Sequence, residues 1–192
     1  MIDAAIAHLA KELNQYLKRI FDLAEDVVVV SNILEQDGTV ATHVNNKIVV
    51  SLVNISKDTV PFRQKALGNV GNDRAVISSQ PVFLNIYLMF SAYFSGSNYQ
   101  EGLKFISNTI AFFQGQPLFD HHTSPDLDRQ IDRLILDIEN LDINDLSNLW
   151  GILSGKYLPS ILYKVRMVTV DSMAVRAQTS ILSKPKSTVG HG

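Results

Sequence analysis

A chain of 192 residues is long enough for one domain that buries roughly 70% of the surface its unfolded form exposes. With 46% hydrophobic and 19% charged residues, a net charge of −2 and a pI near 6.2, it has no basic excess to recommend nucleic acid as a partner. The lack of cysteine excludes disulfides and thiolate chemistry and fits a reducing interior.

The opening "MIDAAIAHLAKELNQYLKRIF" reads as the clearest helix. Ile2, Ile6, Leu9, Leu13, Tyr16, Leu17 and Ile20 recur at three- and four-residue spacing, while Lys11, Asn14, Lys18 and Arg19 point away. Asp3 is placed to cap it. Charges at Asp3, Lys11 and Glu12 break any secretory apolar region. The longest apolar run, 82–94, is interrupted by Asn85 and Ser91 and falls short of the ~20 residues that span a bilayer, so a soluble protein is expected.

"DVVVVS" (26–31) is a β-branched run suited to a buried strand. Asp37-Gly38 and Asn45-Asn46 are turn signals, and a strand is predicted from 48 to 55. Residues 57–80 are polar, contain Pro61, Gly68 and Gly71, and lack periodicity; so long a loop points to a contact element. Pro81 opens an extended stretch to Phe94. Residues 98–113 then predict a helix with Leu103, Ile106, Ile110 and Phe113 as its buried face. "QGQPLFDHHTSPD" reads as a second loop. Residues 131–139 fit a helix or a strand, and strand is preferred because a fresh helix starts near Asp142 or Asn144. That helix carries Leu146, Leu149 and Trp150 and stops at 151–155. In the last strand, 159–172, Ile161, Tyr163, Val165, Met167 and Thr169 share one face and Lys164 and Arg166 the other. The order of elements predicts an α+β fold with a mainly antiparallel sheet flanked by helices, as one domain over 1–172 and a C-terminal extension or arm over 173–192.

Chemistry is hard to find. His121-His122 with Asp120 and Asp126 is the one cluster of ligand types, and a loop pair lacking an H-x-x-x-H partner reads as solvated rather than metal-binding. No nucleophile elbow, phosphate loop or dinucleotide fingerprint occurs. Asp126, Asp128, Asp132, Asp137 and Glu139 alternate with arginines as an exposed strand would. Trp150 beside Leu146, Leu149 and Ile152 reads as core. The expectation is no enzyme, no cofactor and no metal.

Residues 80–172 carry a likeness. The L-x-x-x-F-x-A-Y end of the 81–94 stretch, Asn98-Tyr99 opening a helix that closes in Phe112-Phe113-Gln114, Leu146-x-x-Leu149-Trp150, Leu158-Pro159-Ser160 and Tyr163-x-Val165-Arg166 follow one another in order. In that order and spacing they resemble the cap, or tail-terminator, proteins of extracellular contractile injection systems, the phage-tail-like particles of bacteria. The leading helix and the strands within the first 56 residues fit the same pattern.

The resemblance implies a structural protein. It would form a six-fold ring that ends growth of the inner tube and sheath, or an adaptor beneath a larger cap protein. The partners implied are copies of itself, tube and sheath subunits and a larger cap. The particle would be assembled in the bacterial cytoplasm, then released or membrane-anchored. Trp150, Leu149, Tyr163 and Val165 are expected in the core. Arg63, Lys65 and Arg74 in the 57–80 loop, and Lys184 and Lys186 in the tail, are the candidate interface residues facing acidic partner surfaces. A small-ligand or peptide-binding module with 57–80 as a mobile lid is the alternative, and an enzyme using His122 and Asp126 a third.

Overall fold

The computed structural model describes residues 1–59, 74–77, 83–153, 156–169 and 177–180, with 74–77 and 177–180 described by their backbone. The first helix, α1 (Ile2–Phe21), buries Ala5, Leu9, Leu13 and Leu17, one turn apart, together with Ile6 and His8. Ile20, expected on that face, is 51% exposed because the stripe ends at Leu17. Asp3 is not the cap: it lies in the first turn, where its carboxylate accepts from the Met1 ammonium at 2.7 Å. The helix stops at Asp22, in the left-handed region at φ 50°, with the Leu23 N–H donating to the Lys18 carbonyl.

A six-stranded sheet forms the body. In chain order its strands are β1 (Val28–Val30), β2 (Lys47–Lys57), β4 (Phe83–Tyr93), β5 (Leu118–Asp120), β6 (Ile131–Ile138) and β7 (Ser160–Thr169). In space they run β1-β2-β4-β7-β6-β5, all neighbours antiparallel except β1 and β2. Asn14 of α1 docks β1: its Oδ1 accepts from the Val27 and Val28 N–H groups at 2.9 and 3.1 Å. Residues 131–138 are a strand, as preferred. The stretch 114–126, read as loop, contains β5, held by its pairing with Arg133, Leu134 and Ile135.

Alternation along the strands serves two layers. Ile48 and Val50 of β2, Ile86, Leu88 and Phe90 of β4, and Tyr163, Val165 and Met167 of β7 join the main core with α1 and α2 (Tyr99–Gly115). Val49, on the opposite face of β2, joins Ile33, Ala41, Val44 and Trp150 beneath α3 (Ile143–Ile152). Burial on both faces explains the unbroken apolar run at 48–50. Asp142 caps α3, its carboxylate accepting from the Asn144 and Asp145 N–H groups at 2.8 Å each.

The buried face of α2 is Gly102, Phe105, Ile106, Thr109 and Phe113, rotated from the expected one; Leu103 is 41% exposed. A Cβ on Gly102 would sit 3.1–3.2 Å from the Phe94 side chain, so α2 packs tightly on Phe94 at that position. Thr109 hides its hydroxyl by donating to the Phe105 carbonyl at 2.9 Å.

Two further strands, β3 (Arg74–Ile77) and β8 (Ala177–Ser180), pair antiparallel as a separate ribbon, Arg74 opposite Ser180 and Ile77 opposite Ala177. The stretch 57–80 is therefore not loop throughout: β2 runs to Lys57 and β3 lies within it. The polar extension 173–192 likewise holds a strand.

Candidate functional site

Of the expected core residues, Tyr163 and Val165 are 2% and 0% exposed in the main core. The Tyr163 ring packs between Phe90 and Phe113, with centroids at 5.6 and 5.2 Å. Its hydroxyl is buried without a hydrogen-bond partner, and burial pushes the phenol up to about 12. Trp150 is 4% exposed in the second cluster, edge-on to Tyr157 at 5.8 Å. Leu149 is only half-buried, one helical step away from the face that Trp150 and Leu146 turn to the sheet.

Among the candidate interface residues, Arg63, Lys65, Lys184 and Lys186 lie outside the described residues. Arg74 opens β3, so the topology brings the 57–80 stretch and the C-terminal extension together as one ribbon. Sequence reading proposed the two segments separately and missed their pairing.

The His121, His122, Asp120 and Asp126 set separates. His122 donates its backbone N–H to Asp120 at 3.0 Å, inside an Asx turn that also takes the Thr123 N–H at 2.9 Å. Those bonds hold the Asp120 carboxyl below its ordinary value, the Thr123 backbone contact most of all. His121 Nε2 donates to the Ile131 carbonyl at 2.9 Å. Asp126, by contrast, faces α1, where the Lys11 ammonium bonds its Oδ2 and His8 Nδ1 stands 3.9 Å from its Oδ1. His122 and Asp126 thus enter different hydrogen-bonded groups.

His8, Glu12 and Asp126 place ligand-type atoms within 4.8 Å of one another, a cluster the sequence reading missed because Asp126 lies more than a hundred positions from the other two. The donor set does not suit a cation. Lys11 already neutralises Asp126, and His8 Nε2 is buried edge-on to the Phe119 ring without an acceptor, where a metal-bound imidazole passes its second N–H to a partner. Burial lowers the His8 pKa against the opposing pull of Asp126 and Glu12. The Lys11 hydrogen bond lowers that of Asp126 and, reciprocally, raises that of Lys11.

An apolar cavity of about 430 Å³ lies between Ile33, Leu34, Val40, Tyr93 and Leu158, with Lys156 at its rim. No described residue of 57–80 lines it. One cation and mostly apolar walls offer a side chain a seat, but not the convergent polar groups of a small-molecule site.

The remaining feature is an open sheet edge. The outer side of β2 pairs with β1 only through Ile48, Val49 and Val50, and the last bond on it runs from the Ser31 N–H to the Val50 carbonyl at 3.1 Å. From Leu52 to Lys57 that side meets no other strand among the described residues. No helix among the described residues is long and apolar enough to cross a membrane.

No curated protein matches the chain. A cryo-EM structure of the PVC sheath/tube terminator of an extracellular contractile injection system, in its extended state, is similar in fold: TM-score 0.53 at 14% identity over 94% of this chain and 63% of that one. The anti-feeding prophage tube terminating cap aligns at TM-score 0.49 and 15% identity, over 93% of this chain and 60% of that one. The chain therefore spans less than two thirds of either protein's length. The profile of the Pvc16 N-terminal domain matches residues 4–184, nearly the whole sequence, and the chain belongs to that family.

Proposed function

We propose that this chain is a structural protein that ends tube and sheath assembly in a contractile injection particle, working as a ring of copies. One observation carries the reading: the arrangement of helices and sheet follows that of a sheath/tube terminator along 94% of the chain. The physics of a terminator asks for surfaces rather than a catalytic centre. One face of the ring must mimic the next layer of the polymer, and the other must refuse a further layer. The β2 edge, bare among the described residues, accords with that demand.

In this reading the partners are copies of the chain, tube or sheath subunits, and a larger cap where this chain acts as an adaptor. The particle forms in the bacterial cytoplasm. The ring is six-fold, to match the layers it closes. Arg63, Lys65 and Arg74, with Lys184 and Lys186, belong to the contact segments and meet acidic surfaces. The test is co-purification of the tagged chain with separately expressed tube and sheath subunits. Retention of either one, weakened by charge reversal at Arg63 and Lys65 or at Lys184 and Lys186, is the expected outcome. Failure to retain either would overturn the proposal.

A further inference from the structure

Bare sheet edges invite strands, and among the described residues this chain carries both a bare edge and a strand pair that lacks a third member. The edge is β2 from Leu52 to Lys57. Beside it lies an apolar strip: Val30, Leu52 and Ile55 are 49%, 42% and 41% exposed. Their cross-strand partners Val50, Leu88 and Ile86 belong to the main core, so the strip faces the side on which α1 and α2 pack but lies past their cover. The register shift between Leu52 and Asn54 keeps Leu52 and Ile55 on that same face.

The strand pair is the β3–β8 ribbon. Among the described elements its strands pack substantially only on each other, and a two-stranded ribbon alone is marginal in water. It issues from the sheet end where Lys57 pairs Leu84, Phe83 pairs Val168 and Thr169 pairs Ile131, beside the bare edge.

We infer that the bare β2 edge of one copy receives the β3–β8 ribbon of a second copy, with the Val30, Leu52 and Ile55 strip covered by it. The inference rests on the ring reading above and deepens it. A ring requires two different surfaces on every copy, a donor and an acceptor, so that each contact leaves the next one open until the circle closes. The ribbon and the edge are such a pair. Main-chain hydrogen bonds supply the affinity, and the apolar strip fixes which side chains fit.

The absence of cysteine makes the test direct. Full-length chains carrying Ile55→Cys alone and Thr179→Cys alone are mixed and treated with a short bismaleimide, with light scattering of the unmodified chain run in parallel. A mixed dimer, absent when either variant is treated by itself, is the expected result. A cross-link seen only within one doubly substituted chain would show the ribbon folding onto its own edge and overturn the inference. Oligomers without any cross-link would overturn the inference and leave the ring standing. A chain that stays monomeric at every concentration would remove both. A second variant, Ile55→Lys, keeps an exposed position and is expected to abolish the mixed dimer without lowering the melting temperature.

Discussion

Arg166 on β7 reaches across the neighbouring strand to Asp58, just beyond the end of β2. Its Nε and Nη2 both donate to Asp58 Oδ2, at 3.0 and 2.8 Å. The aspartate side chain is 6% exposed and the arginine 25%, so water screens the pair weakly. The contact fixes the sheet end from which the chain leaves toward β3.

Arg166→Met keeps the aliphatic stem and removes the charged donors. It is expected to cost about 1.5–3 kcal/mol in urea unfolding, the range for hydrogen bonds to charged groups. Asp58→Asn combined with Arg166→Met should cost less than the sum of the single changes, since the two act through one contact. Additive costs would show that the pair is not coupled.

Tyr163→Phe removes a buried hydroxyl that has no partner. The expected change is neutral or stabilising, whereas Tyr163→Ala, which empties the space between Phe90 and Phe113, should cost about 3–5 kcal/mol. The pH dependence has a definite sign. The folded phenol titrates at about 12, above its ordinary value of 10.0, so its contribution is complete below pH 10 and disappears as pH rises toward 12. Tyr163→Phe should flatten that alkaline loss, and an unchanged slope would contradict the assignment.

His8 gives the opposite slope. Burial against Phe119, with the Lys11 charge nearby, lowers its pKa from 6.5 despite the opposing pull of Asp126 and Glu12, so the unfolded chain binds the proton more readily. Its contribution is complete above pH 6.5 and falls as pH drops through the folded value. Urea midpoints measured downward from pH 6.5 should decline less steeply in His8→Leu than in the parent chain. Equal slopes would place the acid sensitivity elsewhere.

Trp150→Ala should cost about 3–5 kcal/mol in thermal or urea unfolding, because the indole closes the second core against Val49. Leu149→Ala, at a half-buried position, should cost about 1 kcal/mol. Equal costs would contradict the orientation of α3.

These residues also show what a sequence makes legible. Leu9, Leu13 and Leu17 reveal α1 because a single face is buried and the spacing is unbroken. The segment 131–138 fits either period, and β6 was legible through the fresh helix that starts just after it. The face of α2 differs from the expected one because hydrophobicity marks Leu103, while tight packing on Phe94 selects Gly102. Strands β3, β5 and β8 have only three or four residues each, too few for a period, and exist through pairing. The pairing of β3 with β8 joins residues about a hundred positions apart, as does the approach of His8 to Asp126. Local patterns hold no trace of either. The functional class was legible only through ordered likeness along 80–172, since surfaces built from main-chain edges have no side-chain signature.

The most direct measurement of the central claim is electron microscopy of particles from cells lacking the gene, scoring length and end shape. A terminator predicts over-long, ragged or absent particles, restored when the full chain is supplied in trans. Particles of normal length with closed ends in the deletion strain would contradict the terminator role outright.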